Sequence, residues 1–175
     1  MTDKMDGGPF DIALVGAGAI SAGAYTGGVV DFMAFALDAW YAAKAAGDKN
    51  VPPHDVRLGV FSGASAGAIT ATLSTAYFCS DQPSIASDSE PAEIQRRNKL
   101  FDSWVNRIDI KDLLQTGDLA NAKAPVVSLL DSTVLKEIAD SGLDVSTRPA
   151  RRSYVASEFQ LLMTVTNLRG VQGGC

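Results

Sequence analysis

Histidine is nearly absent from this chain: His54 is the only one in 175 residues. Two cysteines, Cys79 and Cys175, are too few for a disulfide framework, and their spacing fits neither a zinc site nor a redox pair, so no chemistry is assigned to them. Basic residues are outnumbered, 15 against 20 acidic, leaving a net charge of −5 without the positive patch that a nucleic-acid backbone attracts. No nucleic-acid partner is expected. The one basic cluster, Arg148, Arg151 and Arg152, flanks Pro149 and reads as a solvated loop within reach of lipid headgroups.

A clean membrane-spanning run is also missing. The apolar stretch from Ile12 to Leu37 is interrupted by many glycines and by Asp31, which suits a bilayer poorly. The segment ahead of it carries Asp3, Asp6 and Asp11 against Lys4, the opposite charge balance to a secretory leader. These features lead to the expectation of a soluble, cytoplasmic protein with at most peripheral membrane contact. What is present, 46% hydrophobic residues, suffices for one buried core.

Residues 10 to 15 form a compact apolar run that ends at Gly16 and Gly18, the pattern of a buried strand feeding a glycine loop. From Ala24 to Ala46 the period is helical, with Val29, Met33, Leu37 and Trp40 on the inner face, Asp31 and Asp38 on the outer, and Gly47 as the stop. Pro52 and Pro53 mark a turn, Val56 to Phe61 a second strand broken by Ser62 and Gly63, and a helix starts near Ala66. Residues 80 to 91, rich in Ser, Asp and Pro, predict an exposed loop, followed by helices over 92–107 and 132–140 and a strand over 159–165. Strands alternating with helices predict an α/β layered fold with a mainly parallel sheet, since parallel neighbours need a crossover.

The chemistry concentrates at Gly63-Ala64-Ser65-Ala66-Gly67, a G-x-S-x-G nucleophile elbow. A serine on a tight strand-to-helix turn presents its hydroxyl outward, and Gly63 and Gly67 allow the two backbones to approach. The N–H of Ala66 and the positive helix terminus are placed to stabilise an oxyanion. The loop from Gly16 to Gly23 can supply further N–H groups. A dinucleotide site competes for that loop, but Gly16-Ala17-Gly18-Ala19-Ile20-Ser21 lacks the third glycine, and Asp38 falls inside a helix rather than at a strand end. A triad base should follow its serine in chain order, whereas His54 precedes Ser65, adjoins Pro53 and reads as a surface residue.

The run from Gly18 to Phe32 together with Gly63 to Thr70 resembles the opening of bacterial patatin-like phospholipases. The segments Trp104 to Ile110, Ser128 to Asp131 and Thr164 to Gly170 are similar to further landmarks of that family, so the resemblance spans nearly the whole chain. It implies a three-layer α/β/α fold and a Ser–Asp dyad acting on acyl esters, with Ser65 as nucleophile, no metal and no organic cofactor. It also implies an oxyanion hole at Gly16, Gly18 and Ala19, although a third consecutive glycine is not present. The family's aspartate lies in an Asp-Gly-Gly or Asp-Gly-Ala motif beyond the strand that Thr164 to Leu168 resembles, and Cys175 is reached first. Asp6-Gly7-Gly8 has the letters but precedes the first strand, and Asp109, Asp118 and Asp131 suit capping or solvated roles. The expectation is a single catalytic domain over 1–175 lacking its base, a poor catalyst in isolation. A non-catalytic acyl-lipid-binding or scaffold fragment is the alternative, and a dinucleotide-binding domain ranks below both.

Overall fold

A computed structural model of the chain describes residues 8–18, 22–116, 130–144 and 150–166. Its frame is a parallel sheet of strands β1 (Phe10–Gly16), β2 (Val56–Gly63) and β3 (Val155–Met163), in the order β1-β2-β3. Helix α1 (Ala22–Ala45) joins β1 to β2, and α2 (Ala66–Phe78) follows β2 directly. Shorter pieces come next: α3 (Pro91–Arg97), α4 (Lys99–Phe101), a π-helical segment over Asp102–Arg107, α5 (Ile110–Leu113) and α6 (Thr133–Gly142). This is the mixed α/β, parallel-sheet architecture that the alternating pattern predicts, and it is compatible with an α/β sandwich.

Two crossovers that step the same way along a parallel sheet put their helices on one face. There α1 and α2 pack on Val56, Leu58 and Phe61 of β2, with Ile12 and Leu14 of β1 and Phe159 and Leu161 of β3 around them. The inward alternation of β2 changes parity at Gly59, which is skipped in the pairing with β1: Ile12 faces Leu58 and Ala13 faces Val60. That extra residue is a bulge, and it keeps both Leu58 and Phe61 in the core.

Several expectations need correction. The inner face of α1 is rotated by about one residue: Val29 is 51% exposed, while Gly23, Gly27, Val30, Ala34 and Leu37 are buried. The cause is a seam of small residues that admits the Trp104 indole, which a Cβ on Gly23 would meet at 2.2 Å and one on Gly27 at 3.3 Å. Asp31, expected to be solvated, is 2% exposed. The expected helix over 92–107 is divided, because Asn98 leaves helical geometry and caps α4 by accepting from the Phe101 N–H at 2.9 Å. Strand β2 continues through Ser62 and Gly63, and β3 begins four residues early, since Tyr154 and Val155 are buried and Val155 pairs with Leu58.

Asp31 is the polar centre of the core. Its Oδ1 accepts from the Tyr77 hydroxyl at 2.9 Å and from Asn98 Nδ2 at 2.6 Å. Its Oδ2 accepts from the Ser84 hydroxyl at 2.7 Å and the Ile85 N–H at 3.1 Å. Four donors from three segments thereby converge on one carboxyl group, which is how a buried polar group avoids its desolvation penalty. Burial pushes the Tyr77 hydroxyl well above its ordinary pKa, and the neighbouring Asp31 adds to that. The 80–91 segment is accordingly anchored rather than fully exposed, with Ser80 and Ser84 buried.

Arg152 also departs from the solvated loop expected of its cluster. Its guanidinium pairs with Asp38 at 3.0 Å, donates to the carbonyls of Ser80 and Gln82 at 3.1 Å each and to that of Tyr77, and stacks over the Tyr77 ring. Arg151 is exposed, and Arg148 lies outside the described residues. Asp109 and Asp131 cap helices as expected, accepting from the N–H groups of Lys111 at 2.9 Å and Thr133 at 2.8 Å. Gly47, with φ 77°, ends the α1 segment in the left-handed region that glycine tolerates. Asp31→Ala should strand four buried donors and destabilise the chain by about 3 kcal/mol. Urea unfolding would register this as a lower midpoint at an unchanged slope, and an unchanged midpoint would remove Asp31 from the core's organisation.

Candidate active site

Strands β1, β2 and β3 end side by side, with Gly16 opposite Gly63 and Gly63 opposite Met163. Sites in open parallel sheets form at these carboxyl ends, where chains leave the sheet. Ser65 stands there as the N-cap position of α2. Its backbone has φ 52° and ψ −124°, and among the described residues it is the only non-glycine with positive φ. Such a conformation costs on the order of 1–3 kcal/mol and persists only where surrounding contacts impose it.

Those contacts come from glycine. A Cβ on Gly67 would lie 2.1 Å from the Gly16 carbonyl oxygen, and one on Gly63 would lie 2.3 Å from the Gly67 carbonyl. One on Gly16 would come within 2.9 Å of Gly67 Cα. Gly16, Gly63 and Gly67 therefore form one close backbone contact, reinforced by the Ala64 N–H donating to the Gly16 carbonyl at 3.2 Å. With β1, β2 and the first turn of α2 held this tightly, the chain must reverse sharply at Ser65.

The serine is exposed, and its side chain makes no capping hydrogen bond to the helix it begins. Gly18 runs against it: a Cβ there would stand 3.0 Å from Ser65 Cβ and 3.7 Å from Ser65 Oγ. The first turn of α2 uses several N–H groups internally, since Gly67 donates to Ala64 and both Ala68 and Ile69 donate to the Ser65 carbonyl. The Ala66 N–H has no intrahelical acceptor at that position and carries the positive end of a 13-residue helix. Gly16, Gly18, Gly63, Ser65, Ala66 and Gly67 thus converge at one sheet edge. Ala19, the remaining expected oxyanion residue, lies outside the described residues.

No carboxyl or imidazole group is hydrogen-bonded to Ser65 Oγ among the described residues. His54 is exposed and packs edge-on against Trp40 with ring centroids 5.0 Å apart, a surface role as expected. Asp38, the acidic residue weighed for a dinucleotide site, faces Arg152 from within α1. Asp6, Gly7 and Asp118 lie outside the described residues, as do Ser128, Leu129, Cys175 and the segment 167–170. No group of metal-ligating side chains occurs among the described residues.

Two features of the site escaped the sequence. The first is the positive φ at Ser65, for which the Gly63-Ala64-Ser65-Ala66-Gly67 elbow was the available signal. The second is the Trp104 ring seated on Gly23 and Gly27, for which the i, i+4 spacing of the two glycines was the available signal.

No family model matches the chain, and no solved structure matches it. At 42% identity over 172 residues it is similar to the uncharacterized protein y4iI of Sinorhizobium fredii, a match that takes in 93% of this chain and 24% of that protein. The chain spans about a quarter of that relative's length.

The glycine contact and the strain it imposes are separable by substitution. Gly67→Ala should drive a methyl group into the Gly16 carbonyl and cost about 2–3 kcal/mol in denaturant unfolding. Ser65→Gly should relieve the positive φ and raise stability by about 1 kcal/mol. A destabilised Ser65→Gly would show that the elbow is not strained.

Proposed function

We propose that this chain carries the nucleophile and part of the oxyanion site of a serine acyl-ester hydrolase of the patatin-like phospholipase type. The observation that carries this reading is the state of Ser65: exposed at the carboxyl edge of a parallel sheet, with positive φ and Gly18 packed beside its hydroxyl. A glycine at position 18 leaves space over the hydroxyl where an acyl group can sit. Strain maintained on an exposed serine is a feature of sites where geometry serves chemistry.

In the proposed reaction, Ser65 Oγ attacks the carbonyl carbon of a lipid ester while its proton passes to a general base. The carbonyl oxygen becomes an oxyanion, stabilised by the Ala66 N–H, the α2 dipole and N–H groups of the glycine loop. Expulsion of the alcohol, protonated by the same group, leaves an acyl-enzyme, which water then cleaves to free fatty acid and serine. The base would be an aspartate of an Asp-Gly-Gly or Asp-Gly-Ala motif, which the family resemblance implies and which no described residue brings to Ser65. A serine without its base retains only the contribution of the oxyanion site and of binding, so slow turnover is expected of the chain alone.

The absence of a base against Ser65 among the described residues favours one other reading, a non-catalytic acyl-lipid-binding fragment. No helix among the described residues is long and apolar enough to cross a membrane, so lipid would be met by peripheral contact. A fluorophosphonate separates the two readings, because it reacts covalently with activated serine. The chain should be labelled slowly, at the rate an oxyanion site without its base allows, and Ser65→Ala, which removes the nucleophile, should abolish that labelling. Equal labelling of both proteins would remove Ser65 from the mechanism, and no labelling of either would favour the binding fragment.

A further inference from the structure

Beside the first turn of α2 lies a groove of about 200 Å³ whose walls are almost entirely hydrocarbon. Ala68, Ile69 and Leu73 of α2 form one wall, Leu135 and Ala139 of α6 the facing wall, and Met163 at the end of β3 the roof. Thr72 contributes the one hydroxyl of the lining, and it is already engaged, donating to the Ala68 carbonyl at 2.8 Å with the Met163 sulfur 3.0 Å away. Nothing in the groove is free to recognise a polar group.

The groove is preformed. Arg107 of the π-helical segment holds α6 in place through Ser141 at 2.7 Å and Glu137 at 3.0 Å. At the far end a Cβ on Gly142 would meet Leu73 Cδ2 at 2.6 Å, so α6 closes onto α2 there. Meanwhile the rim residues Ala139, Leu143 and Met163 are exposed. An open apolar trough of this kind leaves hydrocarbon in contact with water, a contact that a bound alkyl chain would remove.

One end of it lies a helical turn from Ser65, whose carbonyl accepts from the N–H groups of Ala68 at 2.9 Å and Ile69 at 3.1 Å. Ala68 and Ile69 follow the serine by three and four residues, which places them on the same side of the helix one turn further on. Helical side chains lean toward the N-terminus, so Ile69 lies over the turn that begins at Ser65. Met163 pairs in register with Gly63, two residues before the serine. From Ala68 to Leu73 the trough runs about 8 Å along α2. By proportion to an apolar cavity of roughly 150 Å³ that takes up six-carbon benzene, it holds about eight carbons.

We infer that the α2–α6 groove holds the hydrocarbon tail of the acyl group whose carbonyl is presented to Ser65, and that its closed end favours medium-length chains. This rests on the proposed hydrolase function for its link to Ser65, but the groove can be tested separately. Octanoate would be titrated by calorimetry into the chain, into Ala139→Trp, which fills the groove from an exposed position, and into Lys136→Trp, on the same helix but outside the lining. Ser65→Ala completes the set. The chain, Lys136→Trp and Ser65→Ala should bind alike, Ala139→Trp should bind about tenfold more weakly or worse, and hexadecanoate should gain nothing over octanoate. Unaltered octanoate binding by Ala139→Trp, or none by the unsubstituted chain, would overturn the groove whatever the fluorophosphonate result. Failure of fluorophosphonate labelling together with groove-dependent octanoate binding would instead remove the hydrolase function and leave an alkyl-binding site.

Discussion

The contact among Gly16, Gly63 and Gly67 is the constraint on which the rest of the site depends. Two parallel strand ends and the first turn of a helix cannot normally share one point, because each residue brings a Cβ that holds its neighbours apart. Removing three of them lets the Gly16 carbonyl approach Gly67 so closely that a methyl group there would lie at 2.1 Å. From that approach follow the sharp reversal at Ser65, its positive φ and the outward aim of its hydroxyl. The conformation of Ser65 is therefore supported by backbone proximity rather than by any side-chain bond to the serine.

A second centre, the carboxyl group of Asp31, organises the middle of α1's buried face. By accepting from Tyr77, Ser84, Ile85 and Asn98 it ties α2, the serine-rich segment after it and the junction of α3 with α4 to one point. Those elements lead into the π-helical segment, which delivers Trp104 onto Gly23 and Gly27, and Arg107 onto α6. The glycines at the start of α1 and the groove beside α2 are thus fixed by the same chain segment. A π-helical turn offsets the side-chain register from that of an α-helix, which allows adjacent residues to serve both neighbours.

Under the proposed function, nucleophile, helix terminus and glycine loop gathered at one sheet edge make half of an acyl-transfer site. Each has an independent physical role: strain and exposure for the serine, an unshared N–H and dipole for the oxyanion, absence of a Cβ at Gly18 for room. The apolar trough between α2 and α6 begins one helical turn further along α2. The relative that shares this chain's sequence is about four times longer than the matched stretch, so further elements stand beside the homologous region in that protein.

The sequence alone determined the α/β class, the positions of β1, α1, β2 and α2, and the choice of Ser65, because these are written in local signals: apolar period, glycine punctuation and a five-residue motif. It also placed His54, Asp109 and Asp131 in surface or capping roles correctly. Only tertiary structure decided which face of α1 is buried, since the period of apolar residues pointed to Val29 while the Trp104 ring selects the small residues at positions 23 and 27. It likewise turned Asp31 from an expected solvated charge into a buried anchor and Arg152 into a half-buried one, because burial of a charged group depends on donors and acceptors that arrive from distant segments. The closeness of Gly16 to Gly67 and the groove between α2 and α6 belong to this second kind. They arise from the fit of backbones and helices that are far apart in sequence, and no window along the chain contains that fit.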